Sequence, residues 1–325
     1  MRLPRIEWRA NSVDEFSIIE AYFTGVGVDH DAVTKGPGDD CAILSIPDGC
    51  ELCVSTDTLL ERVHFLENAP GEVVAARSLT ANVSDLAAMG ATPVGFLLAL
   101  TIPHAEDRWL GPFAKELSRG AVEHGISLVG GNMSHGPLSV TITVFGTVPK
   151  SGAMMRSGAG VGDAIYVTGS LGQAAAGLDA LKQGQSGRLP LKEAYLSPQP
   201  QWRFGSRVRE LATACIDISD GFIVDLSHLL TASEIGAELT LDDVPLSGAL
   251  LEFAGEKALQ YAMYGGDDYE LCFSIPEAHC IELTEIAEQT GTQISRIATV
   301  VSEDGLWSVI GDQRSLIDVR GYKHF

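Results

Sequence analysis

Positive charge is scarce in this chain: 22 Lys and Arg stand against 43 Asp and Glu in 325 residues, a formal net charge of −21. Phosphate-backbone recognition needs clustered Lys and Arg, so nucleic acid is excluded as a partner. No run of about 18 apolar residues occurs, so no membrane-spanning helix is expected. Residues 1–10, MRLPRIEWRA, carry charge without the apolar stretch of a secretory leader, and a soluble cytoplasmic protein is the expectation. Cysteine is sparse too, with six scattered at 41, 50, 53, 215, 272 and 280, which fits reduced thiols. The single C-x-x-C, Cys50 to Cys53, has neither a second pair nor the histidines of a zinc site, and it does not open a helix as a redox motif would.

Several nucleotide signatures are also missing. There is no G-x-x-x-x-G-K-[ST], no G-x-G-x-x-G in a βαβ unit, and no kinase set of Gly-rich loop, H-R-D and D-F-G. Glycine, by contrast, is plentiful: 35 residues, about 11% of the chain against a usual ~7%, which favours tight turns and a site built on loops. The length suits two domains of about 150 residues each.

Periodicity gives a coarse order of elements. A helix is expected over 12–22, strands over 41–46 and 52–55 around the turn Pro47-Asp48-Gly49, and a helix of small residues over 71–89. A buried strand at 94–102, a helix at 106–124, and strands at 127–129 and 138–149 follow. The Gly- and Ser-rich crossing at 150–162 places a domain boundary near 150, giving domains 1–150 and 151–325. Beyond it come a strand at 164–168 and a helix at 173–183, and then a polar surface excursion from 183 to 200. Helices around 201–212 and 222–235 and strands near 237–241, 269–275 and 293–301 complete the pattern. Strands and helices mix without strict alternation, so the class is α+β or mixed α/β in two domains.

Carboxylates gather at strand ends and in Gly-rich turns. Gly38-Asp39-Asp40 precedes a strand, Ser55-Thr56-Asp57-Thr58 ends one, Ser84-Asp85 sits in the small-residue helix, Asp217-Ile-Ser219-Asp220 ends another strand, and Gly265-Gly-Asp267-Asp268 leads into one. Any one of these also serves as an Asx-turn or N-cap. Together, facing one way, they would repel: two carboxylates 4 Å apart cost about 4 kcal/mol at an effective dielectric of 20. A cation must then sit among them, and Asp with Ser or Thr hydroxyls, lacking His and Cys, suits Mg2+ shared with a polyphosphate. Leu128-Val-Gly-Gly-Asn132 ends a strand with two glycines that let backbone N–H groups approach phosphate.

Those residues carry a resemblance. Gly38-Asp-Asp40, Ser55-Thr-Asp-Thr58 with His64-Phe65, Ser84-Asp-Leu-Ala-Ala-Met-Gly-Ala91, Gly130-Gly-Asn132, Arg156-Ser-Gly, Asp217-Ile-Ser-Asp-Gly221, Gly265-Gly-Asp-Asp-Tyr-Glu-Leu271 and Gly321-Tyr-Lys-His-Phe325 occur in order over nearly the whole chain. The sequence resembles the thiamine-monophosphate kinases. That resemblance implies the two-domain fold of the aminoimidazole ribonucleotide synthetase-like superfamily, a homodimer through the N-terminal domains, and ATP-dependent phosphorylation of thiamine monophosphate to thiamine diphosphate with several Mg2+ ions. It places Asp40, Ser55, Thr56, Asp57, Asp85, Asn132, Asp217 and Asp220 on metal positions, and Gly131, Asn132, Arg156 and Ser219 on ATP. His64, Asp267 and Tyr322 fall on the thiamine substrate, while Asp57, Asp85, Asp220 and Arg156 form the catalytic set. Asn132 stands where many members have Asp, and Asp267 where Glu is more usual. Another ATP-using enzyme of the superfamily and a catalytically silent Mg-nucleotide-binding regulator are the alternatives. Against the first stands the lack of an N-terminal nucleophilic Cys beside a Gly-rich loop.

Overall fold

The computed structural model describes residues 15–185, 187, 189–310 and 313–320. Tyr322 and the start of the helix expected at 12–22 lie outside them. The described part of that helix is α1 (Glu15–Ile18), which continues into a π-helical turn, Ile19–Phe23. A small ribbon pairs β1 (Val33–Lys35) with β2 (Ile43–Leu44). The first half is completed by β3 (Cys50–Leu60), α2 (Gly71–Ala88), β4 (Thr92–Ile102), α3 (Asp107–His124), β5 (Ser127–His135) and β6 (Ser139–Pro149).

Four of these strands form a sheet in the order β3-β6-β4-β5. The β3–β6 and β6–β4 pairs are antiparallel; β4 and β5 are parallel, and the crossover that a parallel pair requires is α3. Side chains alternate along each strand. Phe96, Leu98 and Leu100 of β4 and Val140, Ile142 and Val144 of β6 are therefore buried on one face, under Val74, Leu79 and Leu86 of α2 and Phe113 and Leu117 of α3. On the other face Leu52, Val54 and Leu60 of β3 remain 44%, 54% and 41% exposed.

The second half runs β7 (Ala164–Thr168), α4 (Gln173–Lys182), α5 (Leu189–Leu196), α6 (Trp202–Val208), β8 (Ala214–Ile218), α7 (Phe222–Ser233), β9 (Gly236–Thr240), α8 (Gly248–Ala254), α9 (Ala258–Tyr264), β10 (Glu270–Ile275), α10 (Cys280–Thr290), β11 (Ile294–Val301), β12 (Gly305–Ile310) and β13 (Gln313–Leu316). Its seven strands lie in the order β13-β12-β9-β11-β7-β10-β8. One side packs Ile165, Val167, Ile216 and Ile218 on Phe222, Leu226 and Leu229 of α7. The other packs Leu271, Phe273 and Ile275 on Phe204, Val208 and Leu283, a cluster that also takes in Ala87 and Ala88 from the end of α2. One helix therefore serves the cores of both halves.

Three expectations are corrected. The stretch 183–200 is no surface excursion: α5 lies within it, with Leu191 and Tyr195, four residues apart on one helical face, both buried. The Ser55–Thr58 motif does not end a strand but lies inside the 11-residue β3. Nor do the glycines at 130 and 131 end one, because β5 continues to His135. Gly131 sits at φ +155, and a Cβ there would come within 1.9 Å of the Leu98 carbonyl oxygen, so close approach of β4 requires glycine at that point.

Candidate active site

β3 and β8 are end strands of their sheets, and α2 touches both. Ser55 and Asp57, two apart on β3, share the face turned to α2. The Ser55 hydroxyl donates to the Asp85 carboxylate. An end strand leaves main-chain N–H groups without a ladder partner. The Asp57 N–H is satisfied by Asn82 Oδ1 at 3.0 Å, and the Asn82 amide donates in turn to the Ser78 carbonyl at 2.9 Å. From the neighbouring face of α2, Ser84 donates to Asp217 Oδ2 on β8 at 2.8 Å. Successive residues of α2, Ser84 and Asp85, thus reach the two halves of the chain.

The loop after β8 is held from within. Asp225, buried in the first turn of α7, accepts at one oxygen from the backbone N–H groups of Ser219, Asp220 and Gly221 at 3.0, 3.1 and 3.1 Å. This internal carboxylate fixes the loop carrying Ser219 and Asp220 beside Asp217. Arg156, exposed on the crossing segment, joins Ser55, Asp85 and Asp217 in lining a cavity of 590 Å³.

The electrostatics of this cluster are dominated by burial. It lifts the Asp85 carboxyl from its ordinary 3.8 to about 7, with the charge of Asp217 adding to the effect and the Ser55 bond and Arg156 opposing it. Asp217 rises to about 6, again first through burial, against the Ser84 bond and Arg156. Asp57 is raised by burial and by Asp220, while His64 pulls it down. Among the described residues, the cluster therefore holds more carboxylate than the nearby Arg156 guanidinium offsets. Its donors are all oxygen, which fits a hard divalent cation. Among the described residues, however, no three His, Cys, Asp or Glu side chains stand together as a metal-holding group.

Not every expected residue lies here. Thr56, between Ser55 and Asp57, points to the opposite face, where its hydroxyl lies 2.9 Å from that of Thr143 and bonds the Ile142 carbonyl at 3.1 Å. Asp40, Gly131 and Asn132 line a different cavity of 1250 Å³, together with Thr141 and Thr143. The Asn132 amide donates to the Ser134 hydroxyl at 3.0 Å. Strand alternation thus divides the expected oxygen ligands between two faces of the first sheet. His64 accepts from the Leu60 N–H at 3.0 Å through Nδ1. Asp267 lies 2.9 Å from Arg77 and accepts from the Tyr269 hydroxyl at 3.1 Å. No role for Arg77, Asn82, Ser84 or Asp225 was legible in the sequence alone. The first three belong to a run of polar residues at 77, 78, 80, 82 and 84, all buried, in a helix otherwise rich in small and apolar residues. That run was the available signal.

Comparison with known proteins decides the family. Residues 38–148 match the AIR synthase related protein, N-terminal domain, and residues 160–310 its C-terminal domain. The thiamine-monophosphate kinase of Salmonella typhimurium is 39% identical over 322 residues, covering 96% of this chain and 98% of the relative. The chain belongs to the thiamine-monophosphate kinase family. Among solved structures, the thiamine-monophosphate kinase from Stenotrophomonas maltophilia K279a has a TM-score of 0.82 at 36% identity, covering 86% of this chain and 91% of that one. AaThiL complexed with AMPPCP and TMP has a TM-score of 0.78 at 27% identity, covering 99% and 100%. The mixed α and β architecture is thus that of two AIR synthase related domains. In this member of the thiamine-monophosphate kinase family, the carboxylate cluster lies where the two meet.

Proposed function

We propose that the chain transfers the γ-phosphoryl group of ATP in line to the phosphate of thiamine monophosphate, giving thiamine diphosphate and ADP. Family membership makes it a thiamine-phosphate kinase, a phosphotransferase with a phosphate group as acceptor. The observation that carries the mechanism is the pair of contacts Ser55–Asp85 and Ser84–Asp217, which brings carboxylates of both halves together on one helix. A phosphate acceptor is already ionised at neutral pH, so no general base is needed and the residues have to align and neutralise. The motifs accordingly carry Asp and no catalytic His pair.

In this reading Ser55, Asp57, Asp85, Asp217 and Asp220 hold Mg2+ where the two halves meet, while Asp40, Thr56 and Asn132, the remaining metal positions of the family resemblance, lie apart from them on the other face of the first sheet. Bound Mg2+ would offset the repulsion between the two phosphorylated substrates and the charge of the transition state. Gly131, Asn132, Arg156 and Ser219 bind ATP, Arg156 with a fork of donors suited to phosphate oxygens. His64, Asp267 and Tyr322 contact the thiamine moiety, and Asp57, Asp85, Asp220 and Arg156 act on the transferring group. Residues 1–150 form the nucleotide and metal domain, and 151–325 closes the cleft. The exposed Leu52, Val54 and Leu60 support a homodimer through the N-terminal domain. No helix among the described residues is long and apolar enough to cross a membrane, and the reaction is assigned to the cytoplasm.

The test is ADP release with ATP and Mg2+ in the presence of thiamine monophosphate, thiamine or no acceptor, with the product identified by mass. Thiamine diphosphate formed only from the monophosphate is the expected result. ATP binding without turnover on any acceptor would instead favour the silent regulator.

A further inference from the structure

Arg77, on α2, is fully buried. A guanidinium out of water is costly unless its donors are met, and of this one only Nε lacks a hydrogen-bond partner. Its Nη2 lies 2.9 Å from Asp267 Oδ2 and donates to the His64 carbonyl at 3.0 Å, while Nη1 donates to the Tyr195 carbonyl at 2.6 Å. The guanidinium carbon also stands 4.0 Å from the centre of the Tyr195 ring. One side chain therefore ties together three segments far apart in sequence: the loop after β3, α5, and the turn before β10.

That turn is strained. Asp267 and Tyr269 have φ of 70° and 53°, in the left-handed region that non-glycine residues rarely adopt. Something must hold it there. Its main chain is bonded to the end of β8 and the loop that follows, with the Tyr269 N–H on the Ile218 carbonyl and the Asp267 N–H on the Ser219 carbonyl, both at 2.8 Å. The Asp267 carboxylate is gripped at both oxygens, by Arg77 and by the Tyr269 hydroxyl, yet its side chain stays 33% exposed. A carboxylate gripped at both oxygens is held in one orientation.

We propose that Arg77 is a positioning residue for the thiamine end of the acceptor: it fixes the placement of Asp267 relative to His64, and so the depth and angle at which the acceptor sits. This rests on the acceptor reading of His64 and Asp267 given above. Lysine keeps the charge, but a single ammonium cannot reproduce the planar fork that meets a carboxylate and two carbonyls at once. A merely structural tie would lower stability without distinguishing the two substrates.

The experiment is steady-state kinetics of the full chain, unaltered and as Arg77→Lys and Tyr269→Phe. For Arg77→Lys the KM for thiamine monophosphate should rise about tenfold or more while that for ATP changes less than about twofold. Tyr269→Phe, which keeps the buried ring and removes one grip on Asp267, should show the same split at a smaller size. Unchanged KM values, or equal rises for both substrates, in cooperatively melting variants would overturn the proposal. If Arg77→Lys does not fold, Tyr269→Phe decides by the same criterion. An unaltered chain that makes no diphosphate contradicts the function instead. Equilibrium binding of thiamine monophosphate and ATP then replaces KM: weaker binding of the monophosphate alone in the variants supports the positioning role, and no difference overturns it.

Discussion

At the scale of the residue, Asp85 and Asp217 sit where burial opposes ionisation, lifting them to about 7 and about 6 from an ordinary value of 3.8. A carboxyl whose pKa is higher in the fold than in the unfolded chain binds its proton more tightly when folded. Its stabilising contribution is complete below about pH 3.8 and is lost as pH rises through about 6 to 7. The metal-free chain should therefore lose stability over that window. A divalent cation replaces the proton and has most to offset where both carboxylates are charged. Thermal melts with and without Mg2+ should show a larger rise in Tm at about pH 8 than at about pH 5. Equal rises at the two pH values would mean that these carboxylates do not hold the ion.

Among the elements, α2 shows what periodicity reveals and what it hides. A helix over 71–89 was legible from small residues at helical spacing, and the structure has it at Gly71–Ala88. Which polar side chain faces which partner was not legible, because the Tyr195 and Pro198 carbonyls and Asp217 reach α2 from more than a hundred residues away. The length of β3 was hidden for a related reason. Ser55, Thr56, Asp57 and Thr58 read as the polar end of a strand, and only pairing with β6 and the cover of Asn82 show them as its interior. Carboxylate motifs were readable as types of residue, but the split of Thr56 from Ser55 depends on the strand that contains both. The helix α5 escaped because its apolar signal is short. Its docking is tight, however: a Cβ on Gly177 of α4 would lie 1.9 Å from the Leu191 carbonyl oxygen. Gly177→Ala should cost about 1–3 kcal/mol in urea unfolding through forced separation of α4 and α5. No loss would show that this packing yields.

For the whole molecule, the shared helix makes the two halves one catalytic body, with Ala87 and Ala88 packed in the second half and Val74, Leu79 and Leu86 in the first. The open face of the first sheet leaves Val54 54% exposed on an end strand. Sedimentation should find the unaltered chain dimeric and Val54→Glu monomeric, because a charge on each copy cannot be buried unpaired. A dimer that survives the substitution would place the interface elsewhere.

The most direct measurement is the rate of thiamine diphosphate formation by Asp57→Ala beside the unaltered chain, with melting curves of both. Asp57 joins the two halves electrically, facing Asn82 through its main chain and feeling Asp220 through its charge. If phosphoryl transfer is carried out by carboxylates converging from both halves, the variant should melt cooperatively near the unaltered chain and lose turnover by about a thousandfold or more. A folded Asp57→Ala that turns over at a near-normal rate would contradict that arrangement.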